Sequence, residues 1–210
     1  RGVDLLFAPE AETIYPQGFV TWIDLEGPPA HGLEAAHRPG HFRGVATVVT
    51  MLLNLVQPEL VVFGEKDAQQ LAVVRRLVGD LKLPVKIIPG PTVREDDGLA
   101  LSSRNVYLEG DDRRRARVLY RALRAARDAF ESGERRATEI KRRLHDVFAT
   151  EPDVRLEYAE VVDASTFEPA EGEITRPVVL PVAARVGATR LIDNVHLRPA
   201  GPRSHEEEDE

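Results

Sequence analysis

The stretch from Leu60 to Ile88 constrains this chain most, because it holds two short apolar runs separated by one amphipathic segment. Leu60-Val61-Val62-Phe63 is apolar without alternation, the pattern of a parallel strand buried on both faces, and Gly64 bounds it. Asp67 is placed to cap a helix in which Leu71, Val74, Leu77 and Val78 share one face. Val85-Lys86-Ile87-Ile88 follows as a second strand, stopped by Pro89-Gly90-Pro91. Strand, helix and strand with short links make a βαβ unit, which demands a parallel sheet and a right-handed connection.

Other elements attach to this unit. The apolar run Val3 to Ala8 reads as a buried strand ended by Pro9, and residues 19–25 as a second short strand before the Gly-Pro-Pro turn. A helix is expected from Gly44 to Val56, with Val45, Val48, Val49, Leu52, Leu53 and Val56 at helical spacing. Beyond residue 105 the pattern changes. A long helix near 111–131, capped by Asp111 or Asp112 and closed by Ser132-Gly133, precedes a shorter one at 136–149. Strand-like segments at 155–163, 177–186 and 189–194 complete a small α+β unit. The expected division is therefore 1–103, 104–197 and an acidic, disordered tail at 198–210.

Composition removes several function classes. Without a single cysteine the 210 residues can build no disulfide framework, thiolate metal site or cysteine nucleophile, which fits a reducing, cytoplasmic setting. No apolar run approaches the roughly 20 residues that cross a bilayer. A net charge of −7 argues against a general nucleic-acid binder, and the arginines between Arg113 and Arg127 read as a solvated helix face. The opening residues have neither an initiator methionine nor a signal layout, so the chain is expected to be cut from something longer.

Candidate chemistry gathers at two places. Gly64-Glu65-Lys66-Asp67 follows a strand and opens a helix, where an open parallel sheet binds ligands beside unpaired N–H donors. Glycine lets a ligand approach the backbone, Lys66 offers a point charge suited to phosphate, and Asp67 could take ribose hydroxyls. A surface turn with a routine cap is the alternative. Leu101-Ser102-Ser103-Arg104-Asn105 follows Asp96-Asp97-Gly98 and combines hydroxyls, a guanidinium and backbone N–H groups, an anion cradle or else a serine-rich turn. His41, in Arg38-Pro39-Gly40-His41-Phe42, is a general acid, an anion contact or a cap. No histidine set has metal-ligand spacing, and no nucleophile elbow or dinucleotide glycine fingerprint occurs.

Arg38-Pro39-Gly40-His41-Phe42, Gly64-Glu65-Lys66-Asp67-Ala68-Gln69-Gln70, the run Asp97 to Asn105 and Arg190-Leu191-Ile192-Asp193-Asn194 occur in an order and spacing that resemble the pantothenate synthetases, from residue 1 to about 197. The resemblance implies a Rossmann-like nucleotidyltransferase domain, its N-terminal part missing, followed by a small lid. It implies ligation of pantoate and β-alanine through a pantoyl adenylate, in a cytoplasmic homodimer that binds neither nucleic acid nor membrane. By position, Gly64 and Asp67 resemble the family's ribose contacts, Lys66 its phosphate contact, and Glu65 belongs to the same ATP-binding turn. Val93 and Leu101 resemble backbone partners on the adenine side. Ser102, Ser103 and Arg104 resemble the mobile phosphate signature, and Gln70 the pantoate contact. ATP is implied as substrate and Mg2+ as cofactor, with the family's His-x-Gly-His segment and the magnesium-binding acids expected in the missing part. Ala68 replaces a usual aromatic residue, and Ala35 a usual glycine. The truncation implies that the chain alone is inactive. A catalytically inactive nucleotide-binding remnant and a related nucleotidyltransferase are the competing readings.

Overall fold

The computed structural model describes residues 2–199, so Arg1 and the acidic run Glu206–Glu210 lie outside the described residues. Three helices come first, α1 (Ala11–Ile14), α2 (Leu33–His37) and α3 (His41–Val56). Then β1 (Leu60–Gly64), α4 (Ala68–Asp80) and β2 (Lys86–Gly90) form the expected βαβ unit, with β1 and β2 parallel and Gly64 opposite Gly90. Asp67 caps α4, its Oδ1 accepting the Gln70 N–H at 3.1 Å. A 3-10 turn, Ser103–Tyr107, leads to α5 (Asp111–Ala116), α6 (Val118–Glu131) and α7 (Ala137–Phe148). An antiparallel sheet closes the fold, built from β3 (Val154–Ala159), β4 (Val162–Asp163), β5 (Val178–Val186) and β6 (Thr189–Leu197), with β5 pairing all three others.

β5 explains the second half. Its first seven residues are all buried, which a strand achieves only when both faces are covered. One face carries Val178, Leu180, Val182, Ala184 and Val186 into a core with Leu119 and Leu123 of α6 and Ile140 and Leu144 of α7. On the other face Val179 packs with Val162, Phe167 and the α4 residues Ala68 and Ala72. Ala68 thus lies buried where the two sheet systems meet. The tight β5–β6 hairpin turns at Gly187, whose φ is 54° and where a Cβ would stand 2.2 Å from Asp112 Oδ2.

Several expectations are corrected. Val3 to Ala8 forms no strand, and Val3, Leu5, Leu6 and Phe7 are exposed, because a strand needs a ladder partner and none of the described residues supplies one. Residues 19–25 form no strand and pair in no sheet, and the Ile23 N–H is instead held by Thr47 Oγ1 of α3 at 3.0 Å. The run at 60–63 is not buried on both faces: Leu60 is 59% and Val62 67% exposed, since the described sheet has only two strands and one open face. In α3, Phe42, Ala46 and Leu53 are buried whereas Leu55 and Val56 are exposed.

The second half also departs in detail. The helix expected over 111–131 is interrupted at Arg117, and its first residue is preceded by Gly110 at the cap, with Asp111 and Asp112 in the first turn. There the two carboxylates favour the positive end of the helix rather than cap it. The strand expected over 155–163 is two, because the ladder lapses at Glu160, whose N–H donates to the Pro181 carbonyl but which gets no N–H back from that proline, before Val162 and Asp163 resume the same register along β5.

This unequal burial has a measurable consequence. Leu144→Ala should cost about 2–5 kcal/mol, because it empties a fully enclosed site, whereas Val62→Ala should stay within about 0.5 kcal/mol. Urea unfolding of the two variants checks this, and comparable losses would mean that the β1 face is covered in solution.

Candidate functional site

The two motifs singled out by sequence lie at the seam between the parallel and antiparallel sheets. Lys66 and Asp67 occupy the turn between β1 and α4, and the Glu65 N–H donates to the Gly90 carbonyl at 2.8 Å. Lys66, Asp67, Glu34, Tyr158, Asp193 and Asn194 line one small hollow. Burial lowers the Lys66 pKa, while Asp193, Asp67 and Glu34 pull it back up and Arg104 adds to the depression. Burial raises the Asp67 pKa against the opposing hydrogen bond from the Gln70 N–H.

Ser102 to Arg104 are not a loose loop. Ser102 Oγ accepts the Arg104 N–H at 3.2 Å and caps the 3-10 turn, while Ser103 and Arg104 are exposed. Beneath them Asn105 Nδ2 donates to the Ala100 carbonyl at 3.1 Å, and Arg113 bridges Glu95 and Asp97 at 2.8 Å each. Val93 and Leu101 are paired by the Leu101 N–H and Val93 carbonyl at 2.8 Å, so the Leu101 amide is already committed. Gly98 is required here, with φ +90° and a Cβ that would stand 2.2 Å from the Tyr120 ring.

The adjoining glutamines separate cleanly. Gln69 is buried and structural: its Oε1 accepts the Glu34 N–H at 3.0 Å and its Nε2 donates to the His31 carbonyl at 3.0 Å. Gln70, the residue singled out by sequence, is half-buried on the first turn of α4 and does not line the Lys66 hollow. His41 sits beside Arg38, whose Nη1 lies 2.9 Å from His41 Nε2. Because a guanidinium can only donate, Nε2 must accept and the imidazole is neutral. Burial and then Arg38 lower the His41 pKa in agreement.

Sequence reasoning gave no role to the residues that fasten this seam. Glu34, on α2, receives both Arg190 guanidinium nitrogens, with Nη1 at 2.9 Å from Oε2, and the Tyr158 hydroxyl at 2.7 Å. Burial alone would raise the Glu34 pKa, but Arg190 and Tyr158 outweigh it and hold it below the ordinary value. Asp193 takes Arg94 in a two-point pair at 2.6 and 3.0 Å. Asn194 Nδ2 donates to the carbonyls of Glu65 at 2.8 Å and Lys66 at 2.9 Å. The signal was present: Asp193-Asn194 puts polar residues on both faces of one strand, which is unusual unless both faces meet protein.

The pantoate-β-alanine ligase family model matches residues 1–196. The chain belongs to that family. It is 50% identical to the pantothenate synthetase of Roseiflexus sp. over 93% of this chain and 69% of that protein. It is equally identical to the bifunctional pantoate ligase/cytidylate kinase of Synechococcus elongatus, of whose length it spans only 38%. The pantothenate synthetase structure from Thermus thermophilus superposes with a TM-score of 0.90 at 49% identity, over 94% of this chain and 71% of that one. A pantoate-β-alanine ligase structure from Francisella tularensis, described as complexed with βγ-ATP and β-alanine, gives a TM-score of 0.65 at 32% identity and covers 88% of this chain and 61% of that one. The expected α/β nucleotidyltransferase fold with an antiparallel lid-like sheet is thereby shown for this chain.

The Glu34–Arg190 pair yields a prediction with a definite sign. Arg190→Ala leaves Glu34 buried without its guanidinium, while Glu157 keeps Arg185, and should cost about 3–5 kcal/mol at neutral pH. In the parent, the depressed Glu34 pKa gives stability that is present above the unfolded value and lost as pH falls through the folded one. The gap between parent and variant should therefore be widest near neutrality and narrow below about pH 4. Thermal unfolding across pH checks this, and a pH-independent gap would contradict it.

Proposed function

We propose that the chain carries the ATP- and pantoate-handling machinery of a ligase that joins pantoate to β-alanine. The observation that carries the reading is that adjacent residues of β6 tie both motifs together, Asn194 holding the Glu65 and Lys66 carbonyls and Asp193 holding Arg94 ahead of the Ser102–Arg104 turn, in a member of the pantoate-β-alanine ligase family. Two steps balance the reaction. A pantoate carboxylate oxygen bonds to the α-phosphorus of ATP as pyrophosphate leaves, and the β-alanine nitrogen then bonds to the acyl carbon as AMP leaves and the amine loses its proton. A carboxylate is a poor electrophile, and adenylation gives it a leaving group.

Each residue has a stated task in this reading. Lys66 and Arg104 offset the phosphate charge as it redistributes, and Gly64 and Glu65 keep the turn open to ATP. Asp67 caps α4 and faces the ribose, while Ser102 and Ser103 present hydroxyls to the phosphates and Val93 and Leu101 flank the adenine. Gln70 offers both a donor and an acceptor to pantoate. Residues 1–103 would hold ATP and pantoate, with residues 104–197 as the lid, and the assembly would be a cytoplasmic homodimer. Among the described residues no helix is long and apolar enough to cross a membrane. Among the described residues no three His, Asp or Glu side chains converge to hold a metal ion by protein ligands alone, and Mg2+ would be bound mainly through the ATP phosphates.

ATP should protect backbone amides across residues 96–106 in hydrogen exchange, because closure over phosphate shields that segment. In a version of the chain extended upstream of Arg1, where the kinetic tests are made, Lys66→Ala should lower pyrophosphate release from ATP and pantoate on the order of a hundredfold. Gln70→Ala should raise the pantoate requirement roughly ten- to a hundredfold and leave the ATP requirement nearly unchanged. Binding of ATP without pyrophosphate release would favour a binding-only remnant, and a wild-type rate in Lys66→Ala would overturn the assignment.

A further inference from the structure

The Asp193-Asn194 dipeptide of β6 has its polar groups committed in two directions. Toward the parallel sheet, both hydrogens of the Asn194 side-chain amide are engaged by the consecutive carbonyls of Glu65 and Lys66. Toward the other motif, Asp193 takes the Arg94 guanidinium at two points, and the Asn194 carbonyl accepts Arg94 Nη2 at 3.3 Å. Across the ladder Asn194 faces Pro181, which has no N–H to offer that carbonyl. Arg94 in turn donates to the Gly98 carbonyl at 3.1 Å, bridges to Ala100, and lies over the Tyr120 ring at 4.1 Å. Ser102 to Arg104 follow directly from that loop.

We propose that Asn194 is a positioning residue, which holds the Lys66 turn by its backbone and, together with Asp193 and Arg94, fixes the spacing between Lys66 and the Ser102–Arg104 turn. The proposal rests on the functional reading above for what the two elements bind, but not for the geometry itself. It touches neither substrate nor the reacting atoms. Its chemistry is that of a planar amide with two donors, which matches two successive carbonyls better than a hydroxyl or a carboxylate can. A buried carboxylate in its place would set oxygen against oxygen. Lys66 reports on the arrangement because Asp193, Asp67, Glu34 and Arg104 all act on its charge, and burial depresses its pKa.

The chain has four lysines, so reductive methylation with 13C-formaldehyde gives few signals, and Lys66 is assigned by the one lost in Lys66→Ala. In the parent, Lys66 should titrate below the ordinary lysine range. In Asn194→Ala the turn relaxes toward solvent and the Lys66 titration should move up, while the other lysines stay in place. ATP affinity should fall about tenfold. Asn194→Ser, which keeps one donor, should fall between parent and Asn194→Ala, and it is read in their place if Asn194→Ala does not fold. A Lys66 titration unmoved in a folded variant, even one with a lowered melting temperature, gives Asn194 a packing role only and overturns the proposal. Lys66→Ala with the parental rate of pyrophosphate release in the extended protein instead overturns the functional reading, whatever Asn194 does to the titration.

Discussion

Two consecutive polar residues in the middle of β6 set the terms for the rest of the molecule. A strand directs neighbouring side chains to opposite faces, so Asp193 and Asn194 can both be buried only if protein covers both sides. Once buried, each must find partners or cost the fold the full desolvation of its polar atoms. Arg94 answers one and the carbonyls of the Lys66 turn answer the other. The seam between the sheets is therefore specified by polar satisfaction, and the apolar contact of Ala68 and Ala72 with Val179 fills the space that remains. Moving one sheet system away from the other would expose Glu34–Arg190 and Arg94–Asp193 together, a cooperative loss rather than a gradual one.

That arrangement also governs electrostatics at the candidate site. Lys66 is drawn from water, where its positive charge is less favourable, yet it is ringed by Asp67, Asp193 and Glu34. Two of those three carboxylates are themselves engaged by arginine, so their charge is partly spent. The result is a cation with reduced hydration and incomplete compensation, which suits attraction of a further anion. His41 contributes no second charge, because its imidazole accepts from Arg38.

Legibility in the sequence followed the length scale of each interaction. The βαβ unit, the Asp67 cap and the strands at β5 and β6 were readable, since periodicity and capping act within a few residues. The runs at 3–8 and 19–25 misled, because an apolar segment says nothing about whether a ladder partner stands beside it. The break at Arg117 was invisible for a related reason: Val118, Leu119 and Ala122 continue the apolar face across it. At the site, motif order brought Lys66 and the serine turn into view. Glu34, Gln69 and Arg94 stayed hidden, because a polar side chain reads as solvated until a contact tens of residues away buries it.

The open face of the two-stranded sheet has a consequence of its own. Leu60 and Val62 project outward beside strands whose edges have no described ladder partner, with Val3, Leu5 and Leu6 also facing solvent. Such an edge is a template on which any extended segment can zip, and net charge does little to discourage pairing that runs through backbone groups. At high concentration this uncovered edge is a place where two copies of the chain could pair, and a lysine placed outward at position 62 would oppose that pairing at the edge itself.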